Sequence, residues 1–391
     1  MTVSASRSEA ERGEEAVALP EWLDTSPWSA LLASRDRNAA HRAILSPDPG
    51  ERELALMLSP AAGELLELMA RRARAITRRR FGRTISLYTP LYLSNYCSGG
   101  CRYCGIAADR RARRAVLSRE QLVRELEAIR RMGLEDVLLL TGERTPEADY
   151  DYLRAAVAEA ARRLPVVGVE AFTMSEEEYR GLAEAGCIGV TVYQETYDPE
   201  VYRYMHRWGP KRDFARRLDA PERALRGGLR QVGIGALLGL AEPRREMLAL
   251  YRHARHLLRT WWRAGVSISF PRIRPQLGGF QPDYPVDDRL LAQFIFALRI
   301  ALPDVPLVLS TREPPRLRDG LAGIGISRMS VASRTTVGGY DGGESDSTAQ
   351  FEVFDDRDVE TFCAALRARG LDPVFKDWDA AYRGPLAPRG E

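Results

Sequence analysis

Two hydrophobic periods divide this chain. From Trp22 to Phe81 apolar residues recur at helical spacing, with Leu65, Leu68 and Met69 on one face of an amphipathic stretch. From Thr84 onward, short runs of Val, Ile, Leu and Tyr alternate with helical segments, which is the order of parallel βα units. Eight such runs stand out: Ser86–Leu93, Asp136–Thr141, Val166–Ala171, Gly189–Gln194, Gln231–Leu238, Val266–Phe270, Leu307–Ser310 and Ile324–Val331. The helical segments between them carry start signals, Ser118 with Gln121 and Ser175 with Glu178 as capping boxes, and stop signals at Gly133 and Gly186.

The pattern predicts an α/β chain, a closed (β/α)8 barrel of TIM type over residues 83–341. A helical extension over residues 22–82 precedes it, and a C-terminal segment over 342–391, with a helix around Asp358–Arg369, closes it. Residues 1–21, acidic and rich in Ser, Ala and Glu, are expected to be disordered.

Composition narrows the function. With 391 residues, 45% hydrophobic and 28% charged, the chain has the profile of a soluble enzyme with a large core. No apolar run approaches the roughly 18 residues that span a bilayer, and the N-terminus has no apolar signal core, so a cytoplasmic protein without a membrane partner is expected. Net charge is only +3, and the densest basic run, Arg71 to Arg80, reads as a solvated helix face, so no nucleic-acid partner is expected. Lys211 and Lys376 are the only lysines, a compositional habit that carries no functional weight here. Five cysteines, three of them clustered, fit a reducing compartment better than a disulfide framework. Cys187 and Cys363 stand alone in apolar surroundings and read as packing residues.

The clustered three carry the chemistry. Cys97, Cys101 and Cys104 lie in Tyr96-Cys-Ser-Gly-Gly-Cys-Arg-Tyr-Cys-Gly105. Spacings of four and three let one loop grip three irons of a cubane, leaving the fourth without a protein ligand, and an open position is suited to chemistry. Zinc and unliganded thiols are the alternatives, although a structural zinc site normally closes with four ligands and no further Cys or His lies nearby. Barrel enzymes build their sites where strands end. The cysteine loop follows the first predicted strand, Thr141-Gly142-Glu143 ends the second, Gln194-Glu195-Thr196-Tyr197 ends the fourth, and Arg272 and Arg312 follow the sixth and seventh.

C-x3-C-x2-C with an aromatic residue, Tyr103, before its last cysteine resembles the signature of the radical S-adenosylmethionine enzymes. That resemblance implies one 4Fe-4S cluster on Cys97, Cys101 and Cys104. It also implies S-adenosylmethionine chelating the open iron through its amino and carboxylate groups and cleaved by one electron to a 5′-deoxyadenosyl radical. It further implies that Thr141, Gly142 and Glu143 meet the methionine amino group, that Gln194 and Glu195 bind the ribose hydroxyls, and that Arg217 pairs with the methionine carboxylate. Gly235, in Gly233-Ile-Gly-Ala-Leu-Leu-Gly239, would belong to an apolar adenine wall.

Longer phrases resemble the aromatic amino-acid lyase branch, and most of all its 2-iminoacetate synthase (tyrosine lyase) family: Pro90-Leu-Tyr-Leu-Ser-Asn-Tyr-Cys97, Val192-Tyr-Gln-Glu-Thr-Tyr197, Ser269-Phe-Pro-Arg-Ile-Arg-Pro275, Leu309-Ser-Thr-Arg-Glu313, Gly338-Gly-Tyr340 and Lys376-Asp-Trp-Asp379. The resemblance covers about residues 55–380. It implies abstraction of a hydrogen atom from the amino group of tyrosine, then Cα–Cβ cleavage to 2-iminoacetate and p-cresol, for thiamine thiazole formation. Arg312 would fix the substrate carboxylate, with Tyr92 and Ser330 lining the pocket. The expected partners are tyrosine, an electron donor of flavodoxin or ferredoxin type and a thiazole synthase. The branch member that builds the diatomic ligands of the hydrogenase site carries a second cluster on C-terminal cysteines, and this tail offers only Cys363. A tryptophan lyase making 3-methyl-2-indolic acid shares several of the phrases and is the alternative. From another class, a non-catalytic iron–sulfur protein would close its cluster with a fourth cysteine and would not need the rim of carboxylates and arginines.

Overall fold

Capping chemistry places the helices where the sequence puts their ends. In the computed structural model, which describes residues 19–343 and 345–376, Ser118 and Gln121 close a reciprocal box at the start of helix Arg119–Arg131. Ser175 and Glu178 do the same for helix Glu176–Ala185. That helix ends on Gly186 at φ 113°, a left-handed conformation that glycine adopts without strain.

All eight expected strands form: β1 (Thr84–Tyr92), β2 (Asp136–Leu140), β3 (Val166–Glu170), β4 (Gly189–Glu195), β5 (Gln231–Ala236), β6 (Gly265–Ser269), β7 (Leu307–Leu309) and β8 (Arg328–Ser330). Each pairs in parallel with the next, and β1 pairs with both β8 and β2, so the sheet closes into the TIM-type barrel. The eighth is shorter than expected, because Gly323 and Gly325 have positive φ and Ala322 bridges Ile326 in a turn before β8. A ninth, unexpected strand, β9 (Asp372–Val374), adds to the start of β1.

Each of β1 to β8 contributes to a cavity inside the barrel, lined by Tyr88 and Tyr193 among others, where Arg328 and Asp136 pair at 2.6 Å across the N-terminal end. The N-terminal extension is short helices ending in helix Leu66–Phe81, which buries Met69, Ala73 and Thr77; Arg71, Arg74, Arg79 and Arg80 of the basic run are exposed, whereas Arg72 donates to the carbonyls of Ile44 and Ser46. Trp22 fastens this extension by stacking on His256 at 4.3 Å, and its carbonyl accepts from Arg252. Cys187 and Cys363 are buried, and helix Val359–Ala368 starts on an Asp358 cap. Residues 1–18 of the expected disordered start, and Asp377, Trp378 and Asp379 of the terminal phrase, lie outside the described residues.

Candidate functional site

The cysteine loop is held from both sides. Gly100 N donates to Trp208 O and Arg102 N to Met205 O, and the Arg114 guanidinium collects the carbonyls of Ile106 and Ala107. A Cβ on Gly142 would stand 2.3 Å from Tyr96 O and 2.7 Å from Cys97 Cβ, so only glycine lets the β2 turn approach the loop this closely. That approach lets Glu143 N donate to Cys97 Sγ at 3.3 Å, and Gly99 N adds a second bond at 3.4 Å.

All three cysteines line one pocket at the C-terminal mouth of the barrel, together with Tyr103, Thr141, Gly142, Glu143, Glu195, Arg217 and Arg312. Burial pushes the Cys97 thiol up to about 11 and moves Cys101 upward too, while Lys211 opposes the shift at Cys101. Thiols held this way give up their protons to a metal rather than to water. Among the described residues no Cys, His, Asp or Glu group is arranged around a single metal ion. The three thiols instead share one pocket wall, as ligands of a larger cluster would.

Charges across the pocket are paired with care. Lys211 Nζ lies 2.5 Å from Glu195 Oε1; Arg217 is buried, with Nη1 3.4 Å from Glu143 Oε1, Nη2 3.9 Å from Glu195 Oε1 and Nε donating to Tyr193 O at 2.7 Å. Glu143 Oε2 is buried without a partner among the described residues. A zwitterionic amino-acid head group would satisfy both halves: its ammonium the free carboxylate oxygen, its carboxylate the Arg217 and Lys211 cations. The residues present therefore fit a three-thiolate cluster and an amino-acid-bearing cofactor side by side.

Arg312 lines the same pocket, on the loop after β7. Its guanidinium lies 3.4 Å from the centroid of the Phe351 ring and has no carboxylate partner among the described residues. The loop that carries it is clamped by Glu313, which takes Arg272 Nε at 3.0 Å and also binds Arg274. Arg272 is thus structural. Tyr92 OH donates to Gln350 at 2.6 Å, and Gln350 Nε2 reaches Cys104 Sγ at 3.8 Å.

Four expected site residues are placed differently; one is Tyr92, which lies outside the pocket lining and reaches it only through Gln350. Gln194 is buried but its Nε2 donates to Phe214 O at 3.4 Å, outside the pocket, because the β4–β5 register shifts between Tyr193 and Glu195 and Glu195 takes φ 72°. Gly235 packs beneath the Tyr193 ring, where a Cβ would meet it at 2.6 Å; Leu237 and Ile273 form the apolar wall in its place. Ser330 Oγ accepts from Thr311 N at 3.1 Å, so it braces the Arg312 loop from behind. Sequence reasoning missed Lys211, Glu170, Gln350 and Phe351. Of these only Lys211 stands out in the sequence, as one of two lysines in an arginine-rich chain, and there it reads as composition without functional weight.

Comparison with known proteins agrees with this geometry. Residues 91–254 match the radical SAM superfamily, and residues 269–372 match the Biotin and Thiamin Synthesis associated domain. The 2-iminoacetate synthase of Salmonella typhimurium is 42% identical over 355 residues, covering 90% of this chain and 92% of that protein. That of Escherichia coli is 42% identical over 340 residues, covering 86% of this chain and 89% of its own. Among solved structures, HydG, a maturase of the FeFe-hydrogenase, superimposes with a TM-score of 0.85 at 30% identity, covering 93% of this chain and 82% of that one.

Proposed function

Because the chain belongs to the 2-iminoacetate synthase family of radical SAM enzymes, we propose that it cleaves the Cα–Cβ bond of tyrosine to give 2-iminoacetate and p-cresol, in the service of thiamine thiazole formation. The observation that carries this reading is the Arg312 guanidinium, without a carboxylate partner among the described residues, in one pocket with three cysteines and an amino-acid-sized set of charges.

Cys97, Cys101 and Cys104 would hold a 4Fe-4S cluster, and Glu143, Arg217, Lys211 and Glu195 would hold S-adenosylmethionine beside it. Together the two groups supply one-electron cleavage of a sulfonium and hence a radical able to take a hydrogen atom. The chain's own residues position the substrate. Arg312 offers a planar fork for the substrate carboxylate, and Phe351, against its other face, keeps that fork from swinging into solvent. Tyr92 stands behind Gln350, which lines the pocket, and fixes it through a hydrogen bond from its hydroxyl. Fixing the carboxylate fixes the amino group on the same carbon, and positioning of this kind contributes several kcal/mol to a barrier. Among the described residues no helix is long and apolar enough to cross a membrane, and clustered cysteines need reducing surroundings; we place the enzyme in the cytoplasm. A flavodoxin or ferredoxin supplying the electron and a thiazole synthase receiving the product complete the reading.

Anaerobic incubation of the reconstituted enzyme with reductant, S-adenosylmethionine and either tyrosine or tryptophan tests it. Formation of p-cresol from tyrosine is expected. Formation of 3-methyl-2-indolic acid from tryptophan, with tyrosine untouched, would replace tyrosine by tryptophan as the substrate.

A further inference from the structure

Glu143, Glu170 and Glu195 all line the pocket. Arg217 pairs with the first and Lys211 with the third, but no cation among the described residues stands within 4.0 Å of Glu170. Its carboxylate also makes no hydrogen bond to any described residue. Burial pushes it up to about 7, with Glu195 adding to the shift and Arg312, Lys211 and Arg217 opposing it.

Its position says which part of an occupant it meets. Glu170 ends β3, and in the order β2-β3-β4-β5-β6-β7-β8-β1 that strand lies four places from β7, directly across the ring from the loop that carries Arg312. An amino acid holding its carboxylate on Arg312 keeps its α-amine close to that guanidinium, since both groups sit on one carbon. The far wall is reached only by the end of the side chain. Two of the phenols that feel its charge are committed elsewhere, Tyr92 to Gln350 and Tyr193 to Ser269. Glu170 is therefore left as an acceptor for a donor arriving with the substrate.

We infer that Glu170 accepts the hydrogen bond of the substrate's phenolic hydroxyl and so separates tyrosine from phenylalanine. The inference rests on the tyrosine-cleaving reading above and names the residue that enforces it. A site built to bond a substrate hydroxyl rejects the analogue lacking it strongly, because the buried acceptor is then left bare.

Calorimetric titration of the reconstituted enzyme, with S-adenosylmethionine present, measures affinity for L-tyrosine and L-phenylalanine without turnover. The wild type should bind tyrosine about a hundredfold more tightly. Glu170→Leu should bring the ratio to within about threefold by weakening tyrosine alone, and Glu170→Gln, which keeps a carbonyl acceptor, should restore part of it. A merely structural role would weaken both ligands together and leave the ratio intact, which would overturn the assignment. Product analysis separates the two readings: p-cresol formation with an unchanged ratio in Glu170→Leu removes Glu170 alone, whereas a wild type that makes no p-cresol removes the tyrosine reading and this assignment with it.

Discussion

Arg312 concentrates substrate recognition in one side chain, since no carboxylate of the described chain competes for its fork and Phe351 covers one face. Arg312→Ala should raise the dissociation constant for tyrosine by about 10–150-fold, the range of a charge-assisted hydrogen bond, while leaving the affinity for S-adenosylmethionine within about twofold. Titration of each ligand separately checks this, and normal tyrosine affinity would remove Arg312 from the site. Arg312 was legible because an arginine straight after a barrel strand falls on the rim. Glu170 was not, because a glutamate closing Val-Val-Gly-Val reads as the end of a strand and nothing local says that it turns inward. Lys211 and Glu195 lie 16 positions apart and meet only once the Pro210–Arg212 turn folds back, so no spacing rule foresees their pairing, although Glu195 itself is expected at the site. Gln194 lies outside the pocket for a backbone reason, the register shift beside it, which a strict alternation of faces does not foresee.

At the level of elements, the turn after β2 and the cysteine loop are two halves of one device. Gly142→Ala would drive a methyl group into Tyr96 O and Cys97 Cβ, and the loop rather than the barrel would have to give way. The variant should fold with an unchanged far-ultraviolet spectrum yet bind, after reconstitution, less than about half the iron of the wild type, because misplacing one ligand by a fraction of an ångström is costly to a fixed site. Full iron content would show that the close approach is dispensable. The same scale shows why the fold was readable: the capping boxes, the glycine stops and the eight apolar runs act within a few residues, where sequence speaks directly. Strand β9 was missed because Asp-Pro-Val is short and contains a proline, and its pairing partner lies nearly 290 positions earlier.

In the molecule as a whole, burial of titratable groups outside the site ties stability to pH. Glu246, buried where it accepts from Tyr197 N and Thr196 Oγ1, is pushed from 4.5 up to about 8 by burial. Folding therefore favours its protonated form: its contribution is complete below about 4.5 and is lost as pH rises towards about 8. The slope is at most roughly 1.4 kcal/mol per pH unit. Thermal unfolding of the unreconstituted protein should show a midpoint that declines between pH 6 and 8, and Glu246→Gln should flatten that decline. An identical slope in the variant would clear Glu246 of responsibility. One further consequence follows from the segment that supplies Gln350 and Phe351. The chain leaves the ribosome with its cysteines early and these two residues late, some 250 positions apart. At roughly 5–20 residues per second, the thiols wait about 10–50 s before their covering segment exists, so the order of translation itself provides an interval in which iron can be delivered to an uncovered loop.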